Sequence, residues 1–480
     1  MDIKELFDGK TPAQQVSALK IRRNCSPAPV VDELKSQYNP IGHRINDRAY
    51  RPDKPIKEER EIPLGMGLQK RKEKVIVRFE EVNRIALPLQ RLIVDRAVSF
   101  LFANPVKITT KTTKADELQI LDAVRVINND NKIDAFNRRL AREVFTYKEA
   151  AEYWYPVNKK EATDDYGFNT IKRLRVALFS PANGDELYPL FDEHGDMIAF
   201  SRQYVYTDLE KKDHVYFDTF TDDMILHYER TGTTGWQIVT AVPNELGKIP
   251  VVYTSQPQTE WSDVQPIIER LEKLLSNFAE TNDYHASPKL FVTGKILGWS
   301  KKGEAGAIIE GDKDCKVSYL SWDHAPESVK LEIETLLRLV YSMTQTPDIS
   351  FEAVKGIGDV SGIALKLLFM DAHLKGYNKE EVFGSTIQRR TSIQKSYLGT
   401  FDKTKADAAR RLRTSPVFDL FMLENDKEKV ETMVTANGGK PIVSQKESVR
   451  KGGVADDPDK DWEQIQTEAA DESTVNVFGK

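Results

Sequence analysis

Gly356-Ile357-Gly358, followed by Gly362 near an expected helix start, is the stretch most like a phosphate cradle, because backbone N–H groups at a helix start hold oxyanions. It departs from both familiar cradles. A Walker loop needs Lys and Ser/Thr directly after its last glycine, where Ile363 and Ala364 stand, and a dinucleotide fingerprint needs glycine where Ser361 sits. Metal chemistry fares no better. His43, His194, His214, His227, His285, His324 and His373 are scattered without an HExxH spacing, and Cys25 and Cys315 are too few for a Cys-rich zinc site. Asp312 and Asp314 begin like a calcium loop, yet Lys316 and Val317 follow where an oxygen ligand and the turn glycine are required. No GxSxG elbow marks a serine nucleophile. The residue patterns therefore predict no active site, no metal and no cofactor. Within the polar loop 346–359, Lys355 is the one cation among Asp348, Glu352 and Asp359, and Gly356 and Gly358 would permit a change of shape.

The elements that must position this loop are numerous, since 480 residues exceed one compact core and predict about two to four structural units. Lys and Arg total 69 against 74 Asp and Glu, a net charge of -5, which disfavours a static nucleic-acid binder. Two cysteines suit a reducing compartment. The amino end carries Asp2, Lys4, Glu5 and Asp8 where a signal peptide would be apolar, and the longest charge-free stretch, Thr231 to Asn244, is largely polar, so no membrane contact is expected. No internal repeat stands out.

Residues 1–60 mix Pro27, Pro29, Pro40, Pro52 and Pro55 with polar residues and predict an extended arm ordered by its neighbours. Arg51 to Arg78 holds nine Lys/Arg and five Asp/Glu, a local +4 expected to be a solvated strip. Helical spacing predicts amphipathic helices within Asn83–Val106 and Lys132–Tyr153. From Trp154 to Ser255 the period is two, with Leu174, Val176 and Leu178 alternating, so a strand-rich module is expected whose Tyr204, Tyr206, Tyr216, Phe217 and Trp236 serve packing before base stacking. A capping box, Ser262 with Gln265, opens a long helix to His285. Short strands within 287–323 follow, then a second long helix, Pro326–Met343, the loop, a helix from about Ser361, a strand at Val417–Met422, and three short helices opened by Asn425, Ser444 and Asp457. The fold class expected is α+β.

That order resembles the portal proteins of tailed bacteriophages, siphophage-type branch. The resemblance is carried by Ile93-Val94-Asp95 through Phe102-Ala103-Asn104-Pro105, by Ile249-Pro250-Val251-Val252-Tyr253 ahead of Trp261-Ser262-Asp263, by Ser361-Gly362-Ile363-Ala364-Leu365-Lys366, and by the run from Ser444 through Val454-Ala455-Asp456-Asp457-Pro458 to Glu468. It implies an N-terminal arm (1–60), a wing (61–260 and 360–424), two stem helices (261–286 and 324–345), a clip (287–323), a tunnel loop (346–359), a crown (425–470) and a C-terminal tail (471–480). It also implies a homo-oligomeric ring, expected to be a dodecamer, in the virion and in host cytoplasm during assembly. Double-stranded DNA would pass through the ring. The clip would meet the terminase large subunit and then a head-completion adaptor, and the wing would meet major capsid and scaffold proteins. The implied tunnel-loop residues are Asp348, Glu352, Lys355, Gly356, Gly358 and Asp359, with Lys355 touching phosphate in passing. A balanced lining suits a sliding polyanion, because many fixed cations would brake it. The rival readings are another virion structural protein, such as an adaptor or baseplate component, and a nucleotide-dependent enzyme using the Gly356–Gly362 loop.

Overall fold

The computed structural model describes residues 4–22, 25–63, 70–232, 235–286, 289–293, 296–299, 309–311, 316–320, 325–348, 369–420, 434–435, 444–452 and 461–468. The chain divides into two compact units, Met1–Ile349 with Met370–Phe421, and Ser350–Phe369 with Met422–Lys480. Helices and strands both contribute, so the fold is α+β as expected.

In the first unit, helices α1 (Lys4–Phe7), α2 (Pro12–Leu19) and α3 (Val31–Tyr38) precede an antiparallel hairpin of β1 (Lys54–Pro63) and β2 (Lys70–Glu80). Helix α4 (Leu89–Leu101), strand β3 (Lys107–Thr109), and helices α5 (Ala115–Asp130) and α6 (Ile133–Tyr147) follow. Then come β4 (Glu149–Thr163), β5 (Thr170–Phe179), β6 (Glu186–Phe191), β7 (Met197–Thr207), β8 (Asp213–Phe220), β9 (Met224–Thr231), β10 (Gly235–Pro243) and β11 (Val251–Ser255). They form a three-stranded sheet, β11-β4-β5, and a five-stranded antiparallel sheet, β10-β9-β8-β7-β6. Helix α7 (Gln265–Ala286) leads to β12 (Lys289–Thr293), β13 (Ile296–Trp299), β14 (Ile309–Gly311) and β15 (Lys316–Leu320), where β13–β14 is nested inside β12–β15, and α8 (Ala325–Met343) returns. Helix α9 (Met370–Phe401), helix α10 (Ala406–Arg411) and strand β16 (Ser415–Val417), paired to β3, complete the unit.

The main core explains why these helices form where they do. Ile93, Val94, Val98 and Leu101 make one face of α4, and Phe136, Leu140 and Val144 make one face of α6. They meet Ile268 and Leu271 of α7, Val340 of α8, and Phe383 and Ile387 of α9. Each such side chain contributes about 1.5–3 kcal/mol when fully buried. The paired helices α7 and α8 are thus rooted in the body by adjacent ends. Helix α4 is shorter than its apolar pattern: it starts after Pro88, which favours extended backbone before it, and Phe102 ends it ahead of Asn104-Pro105. The second expected helix stops at Tyr147. Lys148 turns at φ 68°, and Glu149–Tyr153, helical by propensity, pairs with β11 instead, because burial between neighbours overrides local preference. The capping box at Ser262 is not formed. Its hydroxyl donates to the Thr259 carbonyl at 3.1 Å, and a 3-10 turn, Ser262–Val264, precedes α7. Helix α5 has no counterpart among the expected elements.

The amino-terminal region is folded rather than extended. Leu6, Val16 and Leu19 form a core with Phe217, Leu226 and Tyr228 of the five-stranded sheet, and Tyr228 Oη donates to Gln15 Oε1 at 2.9 Å. Arg22 makes a two-pronged pair with Glu149, at 3.0 and 2.6 Å. Further on, His43 Nδ1 lies 2.6 Å from Glu272 Oε1 of α7, and Trp261 Nε1 donates to Gln37 Oε1 at 3.0 Å. The order comes from this chain's own sheet and helix, since isolated helices of eight residues are too short to hold themselves. Of Tyr204, Tyr206, Tyr216, Phe217 and Trp236, Phe217 is buried, Tyr204, Tyr216 and Trp236 are half-buried and Tyr206 is exposed. The charged strip is the β1–β2 hairpin. A boundary at 60/61 falls inside β1, and among its described side chains none is buried.

In the second unit, α11 (Gln445–Gly452) opens as expected, with the Glu447 amide donating to Ser444 Oγ at 3.2 Å, and 461–468 is helical. The helices expected from Ser361 and from Asn425 lie outside the described residues, as do Asp312, Asp314 and Cys315.

Candidate functional site

The segment singled out in the sequence begins just past α8, and its first residues, 346–348, are held by a packed joint. Helix α8 ends in a double turn: the Gln345 amide donates to the Ser342 carbonyl at 3.2 Å, and the Thr346 amide donates to the Tyr341 carbonyl at 2.9 Å. This is a Schellman end, whose left-handed residue is usually glycine. Here it is Gln345, at φ 50°. Left-handed backbone costs a non-glycine residue about 1–2 kcal/mol, so the surroundings must hold it.

They do so through cations on main-chain oxygens. Lys375 Nζ of α9 donates to the Thr344 carbonyl at 2.9 Å, and Arg96 Nη1 of α4 donates to the Pro347 carbonyl at 2.5 Å. Arg96 also lies over the Tyr341 ring, 5.7 Å from its centre. The orphan carbonyls of a helix C-terminus carry partial negative charge, so cations belong there. Thr344 Oγ1 donates to the Val340 carbonyl at 2.7 Å and bonds Thr346 Oγ1 at 3.0 Å, closing the turn from inside.

Glu260, in the turn before α7, sets the positions of the lysines. Its Oε2 is 2.8 Å from Lys375 Nζ, its Oε1 pairs with Lys379 Nζ, and Lys379 also donates to Gln256 Oε1 at 2.9 Å. The spacing i, i+4 puts both lysines on one face of α9. Burial alone would raise the Glu260 carboxyl, but Lys375 and Lys379 outweigh it and hold it below the usual carboxylate range. Burial pulls Lys375 below the ordinary lysine range against the attraction of Glu260. The space between α4, α9 and 345–347 is only about 10 Å³, at the limit for one water, so the joint is a mechanical anchor and not a ligand pocket.

Of the six residues expected in the loop, Asp348 lies at this joint, half-buried, where its charge raises the neighbouring Tyr341 hydroxyl in addition to the larger effect of burial. Glu352, Lys355, Gly356, Gly358 and Asp359 lie outside the described residues. The sequence reading missed Arg96, Glu260, Lys375 and Lys379. The pair of lysines four apart at a helix start was the available signal.

The sequence model of the family described as "Phage portal protein, SPP1 Gp6-like" matches residues 31–475. The chain belongs to this portal family. Comparison with curated proteins returns no match. Among solved structures, this portal protein is similar to a chain in the neck of an empty gene transfer agent (GTA) particle computed with C6 symmetry, at 10% identity and TM-score 0.42, covering 77% of this chain and 90% of that one. It is also similar to a chain in the virion of a native gene transfer agent particle, at 9% identity and TM-score 0.40, with the same 77% and 90% coverage. The family assignment rests on the sequence match. As a phage portal protein the chain is a structural component of the virion, and no helix among the described residues is long and apolar enough to cross a membrane.

Proposed function

We propose that the chain is the repeating subunit of a closed ring at the head vertex, and that double-stranded DNA passes along the ring axis during packaging and ejection. One observation carries this reading: the segment expected to face the passage, 346–359, starts from a joint locked to α4, α8 and α9, which gives a loop that must meet a moving cargo a rigid mount. Ring closure has a matching surface. Tyr284 of α7 and Leu331, Leu339 and Met343 of α8 are exposed, and a copy related by rotation would cover them.

In this reading, 261–286 and 324–345 are the stem, 287–323 the clip, 346–359 the tunnel loop, 61–260 and 360–424 the wing, and 425–470 the crown. The clip serves the terminase large subunit during packaging and a head-completion adaptor afterwards, and the wing serves major capsid and scaffold proteins, with assembly in the host cytoplasm. The subunit has no catalytic step of its own, and ATP hydrolysis belongs to terminase.

Native mass with negative-stain images of the purified protein tests the assembly. Heterologous closure predicts a ring with an axial hole, and the family resemblance implies about a dozen subunits in it. A stable monomer that also binds a nucleotide would sink the reading. For the loop, Lys355→Ala is expected to change the packaging rate or the length of DNA packaged, through loss of a passing phosphate contact. Unchanged values of both would remove Lys355 from that role.

A further inference from the structure

Away from the loop joint, a cleft of about 490 Å³ opens between the turn joining β10 to β11, the carboxyl half of α9, and the segment through α10 to Arg413. Lys248, Lys395, Arg410 and Arg413 line it, against a single lining carboxylate, Glu245. The two lysines are half-buried and engaged with neutral oxygens: Lys248 Nζ donates to Ser392 Oγ at 3.0 Å, and Lys395 Nζ to the Leu412 carbonyl at 2.7 Å. Among the described residues Arg410 has one carboxylate neighbour, Asp407, at 4.0 Å with both side chains largely exposed, a geometry worth little.

Four cations gathered around a concavity repel one another, and burial makes the repulsion worse. Burial first, then Arg389 and Arg410, pull Lys248 below the ordinary lysine range, and burial first, then Lys248 and Arg413, do the same to Lys395. Such an arrangement is relieved by an anion. We propose that this cleft is a docking site for an acidic peptide segment of a partner protein, with carboxylates reaching Lys248 and Lys395 inside and Arg410 and Arg413 at the rim.

The shape selects this class of ligand. A duplex presents its phosphates on a convex cylinder and would touch the exposed arginines while leaving the recessed lysines unused. A lone phosphate is small against a cleft in the size range of drug-sized ligands, and the cations come from three separate chain segments instead of converging on one point. Several carboxylates spaced along one chain match that spread. The inference does not depend on the channel reading, since it concerns a separate face of the same subunit.

Fluorescence anisotropy of a fluorescein-labelled hexaglutamate peptide with the full-length protein tests it. Salt-sensitive binding is expected, weakened about tenfold or more in the double variant Arg410→Glu with Arg413→Glu, because charge reversal turns attraction into repulsion. Both arginines are exposed, so the variant keeps its fold, which an unchanged native mass and melting curve verify. A second variant, Lys395→Met, is expected to weaken the peptide while leaving any binding of a short DNA duplex unaltered. Equal peptide binding by wild type and the double variant would overturn the proposal. So would a duplex or inorganic phosphate that displaces the peptide at lower concentration than unlabelled hexaglutamate does.

Discussion

Arg390→Ala lowers the unfolding free energy of the first unit by about 3–5 kcal/mol, because it strands a charge inside the body. Arg390 Nε lies 2.8 Å from Glu152 Oε2, its Nη1 donates to Asn137 Oδ1 at 2.7 Å, and the two charged side chains are 3% and 0% exposed. Glu152 sits on β4 and Arg390 midway along α9, so the pair ties the three-stranded sheet to the helix that also carries the loop joint. Burial raises the Glu152 carboxyl against the pull of Arg390, so with the guanidinium gone the carboxylate must either stay charged without a partner or take up a proton. Arg390→Lys does not rescue, since one ammonium cannot reach both Glu152 and Asn137 in the same fork geometry. The double change Arg390→Met with Glu152→Met is milder than either single alanine, as apolar replacements of a buried pair are often neutral. Urea unfolding followed by circular dichroism checks the order. A loss below about 1 kcal/mol for Arg390→Ala would mean that water reaches the pair.

Glu260→Gln is expected to have a similar effect and to loosen the loop mount. Lys375 would keep its charge in a buried place with only neutral oxygens, the Thr344 carbonyl and the amide at position 260, to hold it, at a cost of about 3–5 kcal/mol. Hydrogen exchange gives the specific readout: the Gln345 and Thr346 amides, bonded to Ser342 and Tyr341, exchange faster in the variant, while amides of the five-stranded sheet do not change. Adding Lys375→Met restores stability but not the slow exchange, because the Thr344 carbonyl then loses the cation that held it. The wild type carries the matching pH dependence. The folded Glu260 has a pKa below the ordinary 4.5, so its contribution is present above that value. It is lost as the pH falls, since the unfolded chain binds the proton first.

The sequence made the long-range order of elements legible and left the joint hidden, for a physical reason. Apolar residues at helical spacing, such as Ile267, Leu271, Leu274 and Phe278, or Ile333, Leu336 and Val340, announce an amphipathic helix locally, and α7 and α8 lie where that spacing puts them. Ends are less local. Gln345 in a glycine's conformation has no sequence signature, because the cost is met by Lys375 and Arg96 from distant helices. The same limit made the amino-terminal helices look like an extended arm: Arg22, His43 and Gln37 are ordinary polar residues until Glu149, Glu272 and Trp261 are brought to them. Strand-helix conflict at Glu149–Tyr153 was resolved by β11, about a hundred residues away in the chain.

The mount at the end of α8 grips carbonyl oxygens, a feature every amino acid brings regardless of its side chain. That part of its hold is indifferent to the side chains of the residues whose carbonyls are taken. The stretch past Asp348 can be recoded, lengthened or grafted from another portal without disturbing the foot on which it stands, so that its sequence is free to diverge while the scaffold beneath it stays constant.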